Sequence, residues 1–159
     1  MKKFIPVAII GAGFLIAVFI LSVGRVHGPS MQPNITDGYY FQDYVSYWFR
    51  QPVRGEIVVL KSPIDDRMFV KRIVGLPGER VSIQGSVITV FNSFYPEGMK
   101  LGESYLRYSW AGDFLCRPVY NLTSNEYLVL GDNRGNSLDS RVFGPIDIKS
   151  ITAHVIVRL

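Results

Sequence analysis

The sequence predicts an antiparallel, all-β body preceded by one N-terminal transmembrane helix. Two observations predict it. From Phe4 to Val23 the chain carries no charge, directly after Lys2 and Lys3, and a run of about twenty such residues is long enough to cross the hydrocarbon core as a helix. Beyond Ser30 the apolar residues fall in short runs punctuated by Gly, Pro and Asn, the pattern of strands and turns rather than of helices. Of the 159 residues, roughly 135 remain after the N-terminal segment, enough for one domain with its own core. The expected organisation is an anchor over residues 1–24 and a body over 25–159, interrupted by a small inserted cap at about 91–125.

The elements follow in order. Lys2 and Lys3 favour an N-terminus left in the cytoplasm and a body delivered to the other side. Pro6 stands in the first turns, where a helix tolerates it. A cleavable signal would have a shorter apolar core and a small-x-small site. Ser22-Val23-Gly24 and Gly24-Arg25-Val26 match that poorly, so a retained anchor is expected.

Tyr39, Tyr40, Phe41, Tyr44, Tyr47, Trp48 and Phe49 crowd together just beyond the anchor. They suit a core strand on one face and a membrane interface on the other. Gly55 to Leu60, Phe69 to Val74, Val81 to Ile83, Val87 to Val90, Tyr127 to Leu130 and Ile151 to Val157 read as strands. Gln84-Gly85-Ser86 marks a hairpin, and Leu76-Pro77-Gly78-Glu79 a turn. Phe91 to Asn125 is the least patterned stretch, with turns expected at Tyr95-Pro96-Glu97-Gly98, Trp110-Ala111-Gly112-Asp113 and Arg117-Pro118.

Composition excludes several classes. Cys116 is the sole cysteine, so no intramolecular disulfide forms, and a buried, inert thiol is expected there. With His27 and His154 far apart in sequence, a four-ligand zinc site has no ligand set. The net charge of +4 is dispersed; a nucleic-acid binder would show a basic stripe, and attraction to an anionic membrane surface is the more natural use of the excess.

Three stretches carry chemistry. Ser30 lies in Gly28-Pro29-Ser30-Met31-Gln32-Pro33, where the prolines fix the backbone so that hydroxyl and Ser30 N–H can aim at one point. That N–H is a natural donor to an oxyanion. Lys71 lies in Phe69-Val70-Lys71-Arg72-Ile73-Val74. A lysine becomes a base for a serine only when stripped of water, because its free pKa of about 10.4 keeps it charged. Strand alternation puts Lys71 on the face of Phe69 and Ile73, and Arg72 on that of Val70 and Val74; one cation should point inward and the other out. Gly131-Asp132-Asn133-Arg134-Gly135-Asn136-Ser137-Leu138-Asp139-Ser140-Arg141 supplies polar groups able to hold such a lysine. Singly, each stretch also fits an ordinary loop, a solvated edge-strand lysine or an Asx-rich turn.

Together, in this order and behind an anchor, they resemble the type I (bacterial) signal peptidases, membrane-anchored Ser–Lys proteases. The resemblance implies a fold shared with self-cleaving repressor domains, with Ser30 as nucleophile and main-chain oxyanion donor and Lys71 as base. Ser137 matches the family serine that hydrogen-bonds the lysine. Asp132, Asn133 and Arg134 match a family loop, and Asp139 and Arg141 a structural ion pair beside the site. The cap would be non-catalytic.

Implied partners are exported preproteins with small residues before the cut, and the lipid bilayer; no nucleic acid, metal or cofactor is implied. The implied location is the plasma membrane, single-pass, with the N-terminus cytoplasmic and the catalytic body outside. Two positions depart from the family. Gly28 stands where a polar side chain often serves as second oxyanion donor, and Asn34 where threonine is usual. The glycosylation sequons at Asn34 and Asn121 are discounted, since a glycan at Asn34 would crowd Ser30 and a lysine base resembles the bacterial branch. Remaining alternatives are a specialised conjugation or pilin peptidase of the same superfamily, and a non-catalytic anchored β-domain that binds a partner.

Overall fold

In the computed structural model of the chain, residues 21–106 and 119–158 are described. The expected anchor up to residue 20, Cys116, and the turns at 110–113 and 117–118 lie outside them. The described residues hold eleven strands, all paired antiparallel, as the alternating runs require.

One sheet has seven strands. In spatial order these are β1 (Leu21–Val26), β2 (Gly38–Asp43), β11 (Ile151–Arg158), β3 (Ile57–Lys61), β4 (Met68–Gly75), β9 (Glu126–Leu130) and β10 (Ile146–Asp147). The second has four, in the order β7 (Met99–Lys100), β6 (Val87–Phe91), β5 (Arg80–Gln84) and β8 (Val119–Asn121). Two single-turn helices, α1 (Ser46–Phe49) and α2 (Ser140–Phe143), and 3-10 turns at Pro29–Met31 and Ile148–Ser150 join them. Among the described residues no helix is long and apolar enough to cross a membrane.

Unbroken apolar runs mark strands buried on both faces. In β3, Val58 and Leu60 join a cluster with Ile73, Tyr127, Val129 and Ile146, whereas Val59 turns to the opposite face with Val70, Ala153, Val155, Met31 and Ile35. In β9, Leu128 and Leu130 instead meet Val81, Ile83, Ile88 and Val90 of the second sheet. The hairpin expected at 84–86 joins β5 to β6 with Gln84 opposite Val87. Gly85 there adopts φ 55°, the conformation that the first position of a type II′ hairpin turn demands.

Two boundaries differ from expectation. Residues 21–24, expected at the end of the anchor, belong to β1, with Leu21 opposite Asp43 and Gly24 opposite Tyr40. Apolar composition runs on unbroken from segment to strand, so hydropathy does not mark the change. The close approach of Tyr40, whose ring a Cβ on Gly24 would overlap, fixes the pairing. The chain also leaves the seven-stranded sheet well before residue 91: the strands described between β4 and β9, β5 to β8, build the second sheet.

Gly75 is the hinge between the sheets. A Cβ there would lie 2.8 Å from both Leu122 Cδ1 and Val81 Cγ2 and 2.9 Å from Leu128 Cβ. Gly75→Ala should therefore lower stability by about 1–3 kcal/mol through overpacking. A lower urea midpoint with an unchanged denaturant slope would register it; a midpoint equal to the parent's would show that the sheets separate freely here.

Candidate active site

Ser30 stands in the 3-10 turn Pro29–Met31. Met31 pins the turn, its side chain fully buried among Val26, Ile35, Tyr40, Val59 and Val70. Gln32 N donates to Pro29 O at 3.0 Å and Ile35 N to Met31 O at 2.8 Å, while Gly28 N is fixed by Asp37 Oδ1 at 2.6 Å. The Ser30 carbonyl accepts from Asn133 N at 2.9 Å. Its N–H has no hydrogen-bond partner among the described residues, which leaves it free for a ligand oxygen.

Lys71 lies in β4 opposite Val58 and is 3% exposed. Its Nζ donates to Ser30 Oγ at 2.8 Å and to Val70 O at 3.0 Å, and stands 5.2 Å from the centre of the Phe69 ring. Burial disfavours the ammonium and brings the pKa down to about 8; Asp139 and Asp132 oppose this, and Arg141 assists it. Geometry and charge together give an amine that can accept a proton from the hydroxyl it touches.

The loop after β9 closes the other side. A Cβ on Gly131 would overlap Ser137 Oγ and come within 2.5 Å of Ser30 O, so this main chain runs against the serine turn. Asp139 caps α2, accepts Gly131 N at 2.9 Å, and binds Arg141 through two bonds of 2.8 Å. Ser140 Oγ accepts from Val129 N at 3.0 Å. Arg134 Nε donates to Gly131 O at 2.9 Å.

Two expectations need correction. Ser137 makes no hydrogen bond to Lys71: its hydroxyl is buried and without a partner among the described residues, while Lys71 Nζ bonds Ser30 Oγ and Val70 O instead. Arg72 does not point out to solvent. Its Nε and Nη2 bind Asp132 at 2.8 and 2.6 Å, its Nη1 binds Gly55 O at 2.7 Å, and its guanidinium lies 4.1 Å from the centre of the Tyr105 ring. Alternation correctly separated the two cations; it did not foresee that a buried carboxylate would hold the second one inside.

Sequence reading also passed over three residues that join this network. Asn34 Nδ2 donates to Asp132 Oδ2 and to Tyr105 O, both at 2.8 Å. Both amide hydrogens are thus occupied, which fits the discounting of that sequon. Glu103 accepts from Arg134 Nη1 at 3.1 Å, from Arg134 Nη2, and from Tyr105 Oη. No local motif marks Glu103 or Tyr105: apart from their bond to each other, they meet their partners across a long stretch of chain. Asn34 had a signal, its departure from the usual threonine.

Beside Ser30 and Lys71 opens a groove of about 310 Å³, lined among others by Val26, His27, Met68, Phe69 and Leu138. β4 pairs with β9 only from Arg72 onward, so among the described residues one edge of Met68–Val70 is unpaired next to it.

Comparison with known proteins accords with this architecture. The whole chain, residues 1–159, matches the family described as signal peptidase, peptidase S26. It is 34% identical over 161 residues to signal peptidase IB of Staphylococcus aureus, covering 91% of this chain and 81% of that protein. It is 33% identical over 165 residues to a probable signal peptidase I-2 of Synechocystis sp., covering 99% and 70%. A solved signal peptidase I from Enterococcus faecalis superposes with a TM-score of 0.55 at 29% identity, covering 68% of this chain and 98% of that one. Fold and relatives define an all-β serine peptidase. The chain belongs to the signal peptidase family, peptidase S26.

Two predictions follow from the packing. Gly131→Ala must displace either Ser137 or the Ser30 carbonyl, and a displacement near 1 Å costs about a hundredfold in rate; peptide cleavage at the parent's rate would show that the loop gives way at no cost. Lys71 has a folded pKa of about 8 against 10.5 free. The unfolded chain therefore binds more protons between those values, and stability rises with pH there by up to about 3 kcal/mol. Lys71→Met should flatten that rise in denaturation curves taken from pH 7 to 10.5.

Proposed function

We propose that this peptidase removes N-terminal signal peptides from exported preproteins by a Ser–Lys mechanism, anchored in the membrane by its N-terminal segment. One observation carries the reading: a buried lysine amine 2.8 Å from the hydroxyl of Ser30. Neutral Lys71 takes the proton of Ser30 Oγ as that oxygen attacks the scissile carbonyl carbon. The Ser30 N–H donates to the oxyanion. The lysinium then protonates the leaving amine, the C–N bond breaks, and an acyl ester remains on Ser30. Lys71 next takes a proton from water, whose oxygen attacks the ester, and returns it to Ser30 Oγ.

The groove beside the dyad suits an extended substrate. The unpaired edge of Met68–Val70 can add a peptide strand through main-chain hydrogen bonds. A preference for small residues before the cut follows from the family resemblance. Asp132, Asn133, Arg134, Asp139 and Arg141 serve as structural supports.

The membrane reading rests on the charge-free stretch before β1 and on where it arrives. The pairing of Leu21 with Asp43 brings it in beside α1, whose Trp48 and Phe49 are 75% and 82% exposed. Val23 and Phe41 pair across β1 and β2 with their side chains exposed, as do Arg25 and Tyr39. β1 is about 20 Å long. Laid flat on the headgroups by that face, it keeps Ser30 near the bilayer; stood upright, it would lift Ser30 away. In this topology the N-terminus is cytoplasmic and the body lies outside the cell.

The test is incubation of the detergent-solubilised enzyme with a preprotein ending its signal in Ala-x-Ala, with N-terminal sequencing of the product. Ser30→Ala should abolish cleavage. Lys71→Arg should match Lys71→Ala, since a guanidinium does not give up its proton. Because the base works neutral, the parent's rate should rise with pH through an apparent pKa near 8. Substantial cleavage by Ser30→Ala or Lys71→Arg would remove the dyad from the mechanism.

A further inference from the structure

Three segments distant in sequence meet beside the dyad. They are the turn that follows Ser30, the loop that follows β9, and residues 101–106, which come from the inserted segment. The last of these is tied to the second sheet by Leu101 N donating to Ile88 O at 2.8 Å. By resemblance alone the inserted segment would be a non-catalytic cap. Its contacts give it another part.

We propose that residues 101–106 form a strap, pinned by Asn34, through which the inserted segment positions Ser30 and Lys71, with Asn34, Glu103 and Tyr105 as positioning residues. The inference rests on the Ser–Lys reading above and deepens it. On the serine side, Asn34 spends both amide hydrogens, one on Tyr105 O and one on Asp132 Oδ2. Asn133, next to Asp132, holds the Ser30 carbonyl through its N–H at 2.9 Å. Arg134 carries the same loop to Glu103 and also grips Gly131 O, directly against the Ser30 carbonyl. On the lysine side, the Tyr105 ring supports the guanidinium of Arg72, and Arg72 is the neighbour of Lys71 in β4. Through the strap, a shift in either half of the dyad is resisted by the other half's supports.

The strap also bears on the charge of Lys71. The charged groups that act on Lys71 are Asp139 and Asp132, which favour its ammonium, and Arg141, which disfavours it. The charge of Asp132 is offset by donors from Arg72 and Asn34. Removing the Asn34 donor leaves that negative charge less offset, so the ammonium gains and the limb of the pH–rate profile moves to higher pH.

The experiment uses the full-length, detergent-solubilised enzyme with the Ala-x-Ala preprotein and compares the parent with Asn34→Ala, Asn34→Thr and Tyr105→Leu. Asn34→Ala should lower kcat about tenfold or more with KM within about twofold, because no substrate contact is lost, and should shift the limb alkaline. Asn34→Thr retains one hydroxyl hydrogen and should recover part of both losses. Tyr105→Leu keeps the main-chain carbonyl that Asn34 uses but loses the ring under Arg72 and the bond to Glu103; kcat should fall with KM preserved. Parent-like kcat and limb in Asn34→Ala and Tyr105→Leu, even with a lower melting temperature, would reduce the strap to a fold support and overturn the proposal. Should Asn34→Ala fail to fold, Tyr105→Leu decides by the same split. A parent that cleaves nothing would instead sink the Ser–Lys reading, so the two failures are distinguishable.

Discussion

A lysine amine held out of water against a serine hydroxyl is the contact on which the rest of this structure depends. An ammonium resists burial, so a lysine held in dry surroundings is pushed towards its neutral form. β4 achieves this by lying inside the seven-stranded sheet, between β3 and β9. Val58 stands opposite Lys71, while Phe69 and Ile73 flank it on the same face. Those side chains deny water to the amine, and the hydroxyl of Ser30 and the carbonyl of Val70 are what it can reach. Lowering the pKa and aiming the amine are thus consequences of one placement.

The same burial dictates what surrounds it. Any uncompensated charge near Lys71 would bias its titration strongly in so dry a place. The buried charges nearby accordingly come as arginine–carboxylate pairs: Arg72 with Asp132, Arg134 with Glu103 and Arg141 with Asp139. Such pairs contribute little net stability compared with apolar packing of the same volume. Their advantage here is directional. A guanidinium fork binds a carboxylate in one orientation, so each pair fixes the loop that carries it, and opposite charges leave the lysine's environment nearly balanced.

Much of this was legible in the sequence, for physical reasons that differ from part to part. Ile57-Val58-Val59-Leu60 and Tyr127-Leu128-Val129-Leu130 declare strands covered on both faces, because no polar residue could sit on either side. Gly85 declares its hairpin because few residues tolerate the turn. Ser30 and Lys71 stood out by their neighbours: prolines that fix a backbone, and apolar residues that dry an amine. Leu21 to Gly24 were not legible as a strand, since a pairing partner, and not composition, decides between strand and helix end. Arg72 was half legible: the period of a strand assigned its face, but only the fold supplies Asp132. Glu103 and Tyr105 lie in the least patterned part of the chain, where each side chain takes its meaning from loops far away.

The division of labour between the two kinds of packing explains why the site needs both. Met31 holds the serine turn by apolar burial, which sets depth well but direction poorly, because dispersion is nearly isotropic. Direction comes from hydrogen bonds: Asn133 to the Ser30 carbonyl, Asp37 to the Gly28 amide, Asp139 to the Gly131 amide. Among the described residues the Ser137 hydroxyl is buried without a hydrogen-bond partner, a state that costs about 1–3 kcal/mol. That cost falls on the resting protein. The site is therefore set in depth by apolar burial and in direction by hydrogen bonds, and neither would hold the serine turn alone.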